Sequence, residues 1–337
     1  MTKRVNQLST PSGSGKRVSV IVPVYGTAAF VADALDSVLK QTYTNYEIIV
    51  VNDGSPDSSL LDEVLKPYRN RIIYIVQENR GSSSARNTAI RAAQGEYVAM
   101  LDSDDRWHPE YLVSQLAVLD ADPTVDVVYP DAVRFRSERM GVTRYSEQYP
   151  VGGEVTFPRV LARECHIYGE VSARRDTLLR VGLYDEDLES AEDFELWLRV
   201  LKSGGRIVYN DRVLAYYRIR EGSHTSNDLR LASNVLKVLN KVGREMELTV
   251  SERAILDRQR LDLKAKLNLL EGKKALIEGD LPTAGMMLTA AANHSASWKL
   301  RTIAATLRVA PGLVRRLYML RESWQRRRDS EPGLHSA

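Results

Sequence analysis

The sequence predicts an α/β fold, with a mostly parallel sheet flanked by helices, followed by an α-helical C-terminal domain. Short apolar runs alternate with segments of helical period between residues 18 and 101. The apolar runs are nearly continuous, which is typical of strands buried on both faces. From about residue 229 onward the chain is helical in pattern and rich in charge.

Four apolar runs predict the first strands of the sheet. They are VSVIVPVY (18–25), YEIIVVN (46–52), RIIYIVQ (71–77) and EYVAML (96–101). Three segments of helical period separate them, FVADALDSVLKQ (30–41), SSLLDEVLKPY (58–68) and SARNTAIRAAQ (84–94). This alternation indicates right-handed βαβ units and therefore a parallel sheet.

The pattern becomes less regular after the fourth strand. It predicts a helix at 109–121, a strand at 125–135, a hairpin or mobile loop at 136–157, and strands near 206–218. The segment SAEDFELWLRVLKSG (190–204) is predicted as a helix, because Phe194, Trp197, Leu198 and Leu201 share one stripe. Gly204 is a typical residue after a helix end.

These patterns divide the chain into three parts. Residues 1–16 are expected to be a disordered leader, 17–228 the α/β domain, and 229–337 the helical domain. The net charge of +3 does not by itself indicate nucleic-acid binding. No apolar run approaches the ~20 residues that span a bilayer, and the N-terminus lacks a signal-peptide pattern. We therefore expect a cytosolic protein that can touch the inner face of the cell membrane without crossing it.

The single cysteine, Cys165, excludes an intramolecular disulfide and fits a reducing compartment. Nothing in the sequence activates its thiol, so we interpret it as a buried structural residue.

Polar and glycine residues gather where the four predicted strands of the first half end. The strands end at Pro23–Tyr25, Asn52–Gly54, 78–81 and Asp102–Asp104. Ligands of open α/β sheets bind beyond the carboxyl ends of the strands. A binding site at this edge is the resulting hypothesis.

Three carboxylates crowd the end of the fourth strand, at Asp102, Asp104 and Asp105. Asp is a common turn and cap residue, and Asp105 suits such a structural role. A turn does not, however, require Asp102 and Asp104 together at a binding edge. Mg²⁺ and Mn²⁺ are often held by one or two carboxylates together with substrate phosphates, which favours a metal site here.

The tetrapeptide SAED (190–193) has two interpretations. Ser190 and Asp193 have the spacing of a capping box at the start of a helix. Acidic residues also suit the first turn of a helix because of its dipole. Spacing alone favours capping over catalysis.

Five stretches occur in an order and at spacings that resemble family 2 glycosyltransferases of the GT-A fold. They are VSVIVPVYG, VNDGSPDSS, ENRGSSSARNTAI, EYVAMLDSDDRWHP and SAEDFELWLRV, and the resemblance covers roughly residues 17–226. It implies inverting transfer of a sugar from a nucleotide diphosphate sugar, most often a UDP-sugar, with a divalent metal, Mn²⁺ or Mg²⁺. The expected acceptor is a bacterial surface glycan or a lipid-linked oligosaccharide.

The resemblance also implies roles for matching residues. Tyr25 would lie against the base, Pro23 would shape its loop, and Asp53 would accept a hydrogen bond from the base. Arg86 would reach the nucleotide. Asp102, with Ser103 beside it, would contact the ribose and metal region, and Asp104 would ligate the metal. Asp193 would be the general base, with Glu192 next to it.

The loop REGSHTSND follows the last predicted strand, where the family often has a flexible loop over the nucleotide. His224 in this loop is expected either to contact metal or phosphate, or to be a solvated loop residue. Arg218, Arg220 and Ser226 are further candidates for a phosphate contact. The Gln/Arg-x-x-Arg-Trp motif of processive, membrane-bound relatives is absent from the sequence.

The end of the chain is basic. Residues 299–328 contain nine Lys and Arg residues against one acidic residue, Glu322. Leu313, Leu317, Leu320 and Trp324 lie among them at helical spacing. This pattern fits either a helix that binds an anionic membrane surface or a helix packed on its own domain with a solvated basic face.

Two other functions remain as alternatives at this level. One is a non-catalytic nucleotide-sugar-binding or scaffold protein that works through its helical C-terminus, against which the carboxylates Asp102, Asp104 and Asp193 argue. The other is a sugar nucleotidyltransferase, which would need a Gly-rich basic loop after the first strand. The sequence there, PVYGTAAF, has no such loop.

Overall fold

The computed structural model describes residues 3–5, 17–136, 139–220, 228–294 and 297–330. The chain divides into two compact units, Met1–Ser226 and Asn227–Ala337. The first contains a sheet flanked by helices, and the second consists of helices in its described part.

In the described residues, the sheet of the first unit contains ten strands. These are β1 (Lys3–Val5), β2 (Val18–Val24), β3 (Tyr46–Asp53), β4 (Ile73–Gln77), β5 (Tyr97–Met100), β6 (Arg106–Trp107), β7 (Val125–Arg136), β8 (Arg139–Arg144), β9 (Ser172–Arg174) and β10 (Arg206–Arg218). The helices are α1 (Ala28–Leu39), α2 (Ser58–Leu65), α3 (Ser82–Ala92), α4 (Tyr111–Ala121), α5 (Tyr145–Gln148), α6 (Phe157–Leu161), α7 (Arg175–Arg180) and α8 (Glu192–Lys202). A 3-10 turn, Lys66–Tyr68, extends α2.

Six strands of the sheet run in one direction, namely β2, β3, β4, β5, β7 and β10. The strand order is β1-β4-β3-β2-β5-β9-β7-β10-β6, with β8 paired to β7. β2 is parallel to β3 and β5, β3 to β4, and β10 to β7. The short strand β9 lies antiparallel between β5 and β7, so β7 runs in the same direction as β5. The carboxyl ends of six strands, and the residues just before β9, therefore meet at one edge.

The predicted β/α alternation is confirmed, because each apolar run of the first half is a buried strand. Val20, Ile21 and Val22 of β2 and Val50 of β3 are fully buried. The stretch 136–157 forms a hairpin strand, β8, and the short helix α5. β9 was not predicted from the sequence, because a three-residue strand has no readable period.

Lys3–Val5 lie within the segment expected to be a disordered leader, yet they form β1 and pair antiparallel with β4. Without β1, the strand β4 would present its open backbone groups at the sheet edge. The other residues of 1–16 lie outside the described part.

The second unit contains five described helices, α9 (Asp228–Glu245), α10 (Val250–Glu278), α11 (Leu281–His294), α12 (Trp298–Val309) and α13 (Pro311–Ser330). A capping box of Thr249 and Glu252 begins α10, and Gly279, with φ +87°, ends it. Buried residues of α10, α11 and α12 form its apolar core. Among the described helices, none is long and apolar enough to cross a bilayer.

Candidate active site

Arg86 links the carboxylates of two different elements at the carboxyl edge of the sheet. From α3, its Nη1 donates to Glu192 Oε1 at 2.8 Å and its Nη2 donates to Asp102 Oδ1 at 2.8 Å. Ser82 Oγ also donates to Glu192 Oε1, at 3.0 Å. Burial lowers the pKa of Arg86, but the charges of Asp102, Asp193 and Glu192 outweigh burial and raise it. Arg86 therefore stays charged and holds the first turn of α8 against the loop after β5.

Asp193 does not belong to a capping box, so the capping interpretation of SAED is wrong. The helix α8 begins at Glu192, and its N-cap is Ala191, with φ +62° and no capping side-chain hydrogen bond. Positive φ is unusual for alanine and indicates that surrounding contacts impose this turn. The capping spacing fails because the helix begins one residue later than an N-cap at Ser190 would require.

The Asp193 carboxylate accepts no hydrogen bond from any residue that the structure describes. Burial raises its pKa to about 7, helped by the charge of Glu192 and opposed by that of Arg86. Glu192, in contrast, is held by Arg86 and Ser82. Of the two acids, Asp193 has the free oxygens and the pKa of a group that can exchange protons near neutral pH.

Asp102, Ser103 and Asp104 lie together in the loop after β5. The side chain of Asp102 is 43% exposed and that of Asp104 is 18% exposed. Asp104 pairs with Arg220 Nε through its carboxylate, and its carbonyl accepts from Arg218 Nε at 2.6 Å. Ser103 shares a hydrogen bond with Thr27 at 2.7 Å, which ties this loop to the start of α1.

The carboxylates of Asp102 and Asp104, both partly exposed, suit a hard divalent cation whose remaining ligands are phosphate oxygens and water. Within the described ranges, no group of three His, Cys, Asp or Glu side chains could hold a metal by itself. Asp104 would have to exchange its contact with Arg220 for the metal. The predicted metal contact of His224, like the phosphate contact of Ser226, lies outside the described residues.

Asp105 and Glu170 form a buried acid pair beneath this loop. Asp105 Oδ1 accepts from the Arg218 amide at 2.8 Å, so Asp105 is structural, although it caps no helix. Glu170, just before β9, accepts from Trp107 Nε1, and its Oε1 has no hydrogen-bond partner in the described part. Burial and the neighbouring acidic charges raise the pKa of both carboxyl groups well above their usual range.

The residues expected to contact the nucleotide base lie at the same edge of the sheet but differ in solvent exposure. Tyr25 is exposed after β2, and Pro23 is half-buried at its end. Asp53 is buried, and its oxygens accept from Gln77 Nε2 at 2.7 Å, from the Arg80 amide at 3.0 Å and from the Gly81 amide at 2.8 Å. Asp53 thus shapes the loop after β4.

The adjoining Gly54 has φ +61°, and a Cβ there would lie 2.6 Å from the Asn79 nitrogen. The loops after β3 and β4 therefore pack together only with glycine at this position.

The sequence matches the family model described as glycosyl transferase family 2 over residues 19–177. The putative teichuronic acid biosynthesis glycosyltransferase TuaG of Bacillus subtilis (strain 168) is 30% identical over 240 residues, which are 67% of this chain and 88% of TuaG.

The chain belongs to glycosyl transferase family 2.

Two solved structures resemble the fold of this glycosyltransferase. S. aureus TarS 1–349 in complex with UDP-GlcNAc has a TM-score of 0.60 and 23% identity, covering 92% of each chain. The mannosyltransferase PcManGT from Pyrobaculum calidifontis, in complex with GDP-Man and Mn²⁺, has a TM-score of 0.58 and 23% identity, covering 94% of this chain and 89% of PcManGT. At this identity the likeness shows the fold, which is of the GT-A type with additional C-terminal helices.

Sequence reasoning missed Glu170 and the partner of Asp104 in this glycosyltransferase. An acidic residue beside the apolar pair Val171 and Ala173 was the available signal for Glu170. Arg220 was a candidate for phosphate, and the structure places it on Asp104. Sequence distance hides both contacts, because residues 170 and 220 reach the loop after β5 only through the sheet order.

Proposed function

We propose that this enzyme transfers a sugar, with inversion, from a nucleotide diphosphate sugar to an acceptor hydroxyl, with Asp193 as the general base. The free carboxylate of Asp193, with its pKa near 7, is the observation that carries the proposal. Asp193 lies beside the Arg86 network that extends to Asp102. A general base is most effective when its pKa lies near the operating pH.

In this proposal the loops at the carboxyl edge would hold the donor. Tyr25 is exposed and can cover the base, and Asp102 has enough exposed surface to meet the ribose. The fold likeness to TarS bound to UDP-GlcNAc supports a nucleotide sugar at this edge, and we propose a UDP-sugar. In this proposal Asp53 contacts the base while it keeps the loop after β4 in place.

Asp104 and Asp102 would hold Mn²⁺ or Mg²⁺ in this proposal. Such a metal offsets the charge that develops on a diphosphate leaving group. The presence of Mn²⁺ in the complex of PcManGT, which has a similar fold, supports a divalent metal in this proposal. Arg220, which pairs with Asp104, lies where it can turn to a phosphate when Asp104 takes a different partner.

The reaction follows from the position of the base. Asp193 takes the proton of the acceptor hydroxyl while the hydroxyl oxygen bonds to the anomeric carbon, and the bond from that carbon to the diphosphate oxygen breaks. Attack from the face opposite the leaving group inverts the configuration. Arg86 limits the rise of the Asp193 pKa and so keeps a fraction of it ionised at neutral pH.

The acceptor in this proposal is a surface glycan or lipid-linked oligosaccharide, and the helix α13 supplies a membrane contact. Val314 and Tyr318 pack α13 onto the helical core of its unit. Leu313, Leu317 and Leu320, which share another stripe, are 54%, 58% and 59% exposed. This arrangement favours the membrane interpretation over full packing on the domain.

Positive charge surrounds the leucine stripe of α13. Arg315, Arg316 and Arg321 are all exposed, and Arg315 also donates to the Leu276 carbonyl at 3.0 Å, which holds α13 to the end of α10. Exposed leucines among arginines are typical of helices that lie in an anionic lipid interface. The enzyme would then meet lipid-linked acceptors at that surface.

The test of the transferase proposal is an incubation with Mn²⁺ and a panel of nucleotide sugars, with nucleotide release measured with and without candidate acceptors. We expect one nucleotide sugar to be consumed faster with its acceptor. The rate constant kcat/KM is expected to rise with pH through an apparent pKa near 7. If no nucleotide sugar binds in the presence of metal, the proposal is wrong.

A further inference from the structure

Four tyrosines and two arginines form a cluster on the first unit, in which Tyr168 is buried and the other five are partly exposed. We term this cluster the Tyr–Arg surface. Its members are Tyr145, Tyr149, Tyr168, Tyr217, Arg134 and Arg163. The Tyr145 ring centroid lies 4.6 Å from that of Tyr149 and 5.1 Å from that of Tyr168. The Tyr217 ring meets the Tyr168 ring edge-on at 6.5 Å.

The Tyr–Arg surface reaches the Asp193 carboxylate. A Cβ at Gly169, the residue after Tyr168, would lie only 3.2 Å from Asp193 Oδ2. The Arg163 guanidinium lies 5.5 Å from the ring of Phe194, which follows Asp193. The charge of Asp193 also contributes to raising the pKa of Tyr145, after burial and neighbouring groups. A molecule on this surface would therefore lie next to the proposed base.

The two arginines of this surface have no carboxylate partner among the described residues. Arg134 donates to the Tyr149 hydroxyl at 3.0 Å and lies over the rings of Tyr149 and Tyr217. Its Nε is buried without a hydrogen-bond partner in the described part. The neighbouring Arg144, in contrast, pairs with both Asp131 and Asp211.

Of the two arginines, Arg163 has fewer polar contacts in the described part of the chain. Within the described ranges, its guanidinium has neither a hydrogen bond nor an ion pair, and the ring of Phe194 is its contact. Its backbone has φ +59°, a conformation that is unusual for arginine. Burial lowers the pKa of Arg163, and no acid among the described residues offsets the desolvation of its charge. An anion bound here would supply that compensation.

We propose that the Tyr–Arg surface binds an acceptor glycan that carries a carboxylate or phosphate group, and that Arg163 and Arg134 bind this anion. The inference rests on the proposed function, because it takes the molecule beside Asp193 to be the acceptor.

The chemistry of this surface matches both the sugar ring and the anionic group of such an acceptor. The C–H-bearing face of a pyranose ring packs on tyrosine rings, which combine an apolar face with a polar hydroxyl. A guanidinium binds carboxylate and phosphate oxygens through paired, charge-assisted hydrogen bonds. Burial and the charge of Arg163 lower the pKa of the adjacent His166 to about 4, so this ring is neutral at pH 7 and the arginines supply the positive charge.

The experiment measures binding of three probes to the full chain by ligand-observed NMR. Methyl β-glucuronide and glucose 6-phosphate carry the two anions, and methyl β-glucoside is the neutral match. We expect the wild type to bind at least one anionic probe about tenfold more tightly than the neutral one, the gain of one charge-assisted hydrogen bond. Which anionic probe binds more tightly distinguishes a uronic acid from a sugar phosphate.

Variants test the assignment to these arginines. Arg163→Gln is expected to remove the preference for the anionic probe and to leave neutral binding unchanged, whereas Arg163→Lys retains part of it. Arg136→Gln changes an exposed arginine on the same strand as Arg134 and is the control, expected to bind like the wild type. Circular dichroism would show whether Arg163→Gln is folded. If it is not, Arg134→Gln tests the same loss of preference for the anionic probe.

Three results would overturn this inference. They are equal binding of anionic and neutral probes by the wild type, an equal loss in Arg136→Gln and Arg163→Gln, and displacement of the anionic probe by UDP without metal. Binding of UDP with Mn²⁺, measured on the same samples, separates the two proposals. If UDP with Mn²⁺ binds and no anionic preference is found, only the acceptor inference fails.

Discussion

Asp193 is costly to keep ionised in the folded enzyme, and that cost is consistent with its proposed use. Its carboxylate is desolvated, lies beside the charged Glu192, and is relieved only by the charge of Arg86. A structural carboxylate would be expected to have hydrogen-bond donors around it. Strained or under-satisfied groups of this kind cluster at functional sites.

The substitution Asp193→Asn should therefore separate activity from stability. Transfer is expected to fall by about 10²- to 10⁴-fold, the usual contribution of a general base. The folded-state pKa of Asp193 is raised to about 7, so at pH 8 the folded state bears the cost of an ionised, desolvated carboxylate. The neutral Asn removes this cost, and the melting temperature at pH 8 should rise.

The control for this prediction is Asp187→Asn, at an exposed acid shortly before α8. It should leave both the rate and the melting temperature unchanged. Nucleotide binding should persist in both variants. A lower melting temperature for Asp193→Asn, in parallel with lost activity, would indicate a structural role and contradict the proposal.

At the scale of elements, the junction between β5, β9 and β10 explains the crowding of acids at the end of β5. Asp102 pairs with Arg86 of α3, and Asp104 pairs with Arg220, which follows β10. Asp105 turns inward and meets Glu170. Two adjacent buried carboxyl groups avoid repulsion most readily when they keep one proton between them.

The acid pair predicts a pH dependence of stability. Both folded-state pKa values are raised, whereas unfolded carboxyl groups lose their protons near pH 4. The folded state therefore binds more protons, and the free energy of unfolding falls as pH rises, by about 1.4 kcal/mol per pH unit for one proton. The amide of Glu170→Gln can accept from Trp107 and donate to Asp105 without a titrating proton, so this variant should show a flatter decline.

Urea unfolding between pH 7.5 and 9 measures this difference, because Asp193 is mostly ionised over that range in both states. The matched control is Glu78→Gln, at an exposed residue, which should keep the wild-type slope. Equal slopes for Glu170→Gln and the wild type would show that the pair holds no proton there.

At the scale of the whole molecule, the sequence predicted those strands and helices whose signal is local periodicity. The strands β2 to β5 and the helices between them could be recognised because each buries a continuous apolar run or stripe. The order of the strands could not be recognised from the sequence, and it is this order that brings Glu170 and Arg220 to the loop after β5. The Tyr–Arg surface also escaped prediction, because its members come from β7, α5, the segment before β9 and β10.

Periodicity alone left open whether α13 binds a membrane or packs on its own domain. The packing of the second unit bears on this choice. Val314 and Tyr318 face its core, and the leucine stripe does not. We therefore expect the enzyme to bind phosphatidylcholine vesicles that contain phosphatidylglycerol, and to bind pure phosphatidylcholine much less. Electrostatic attraction of arginines to anionic lipid should make this binding weaken with salt.

The double variant Leu317→Gln with Leu320→Gln should lower vesicle binding by about tenfold or more, because each leucine loses its apolar transfer energy. Leu261→Gln is the matched control, since Leu261 is 55% exposed on α10 and lies outside this stripe. It should bind vesicles like the wild type in a flotation assay. Equal loss in both variants, or wild-type binding that does not depend on anionic lipid, would mean that the stripe on α13 does not bind membranes and serves another contact.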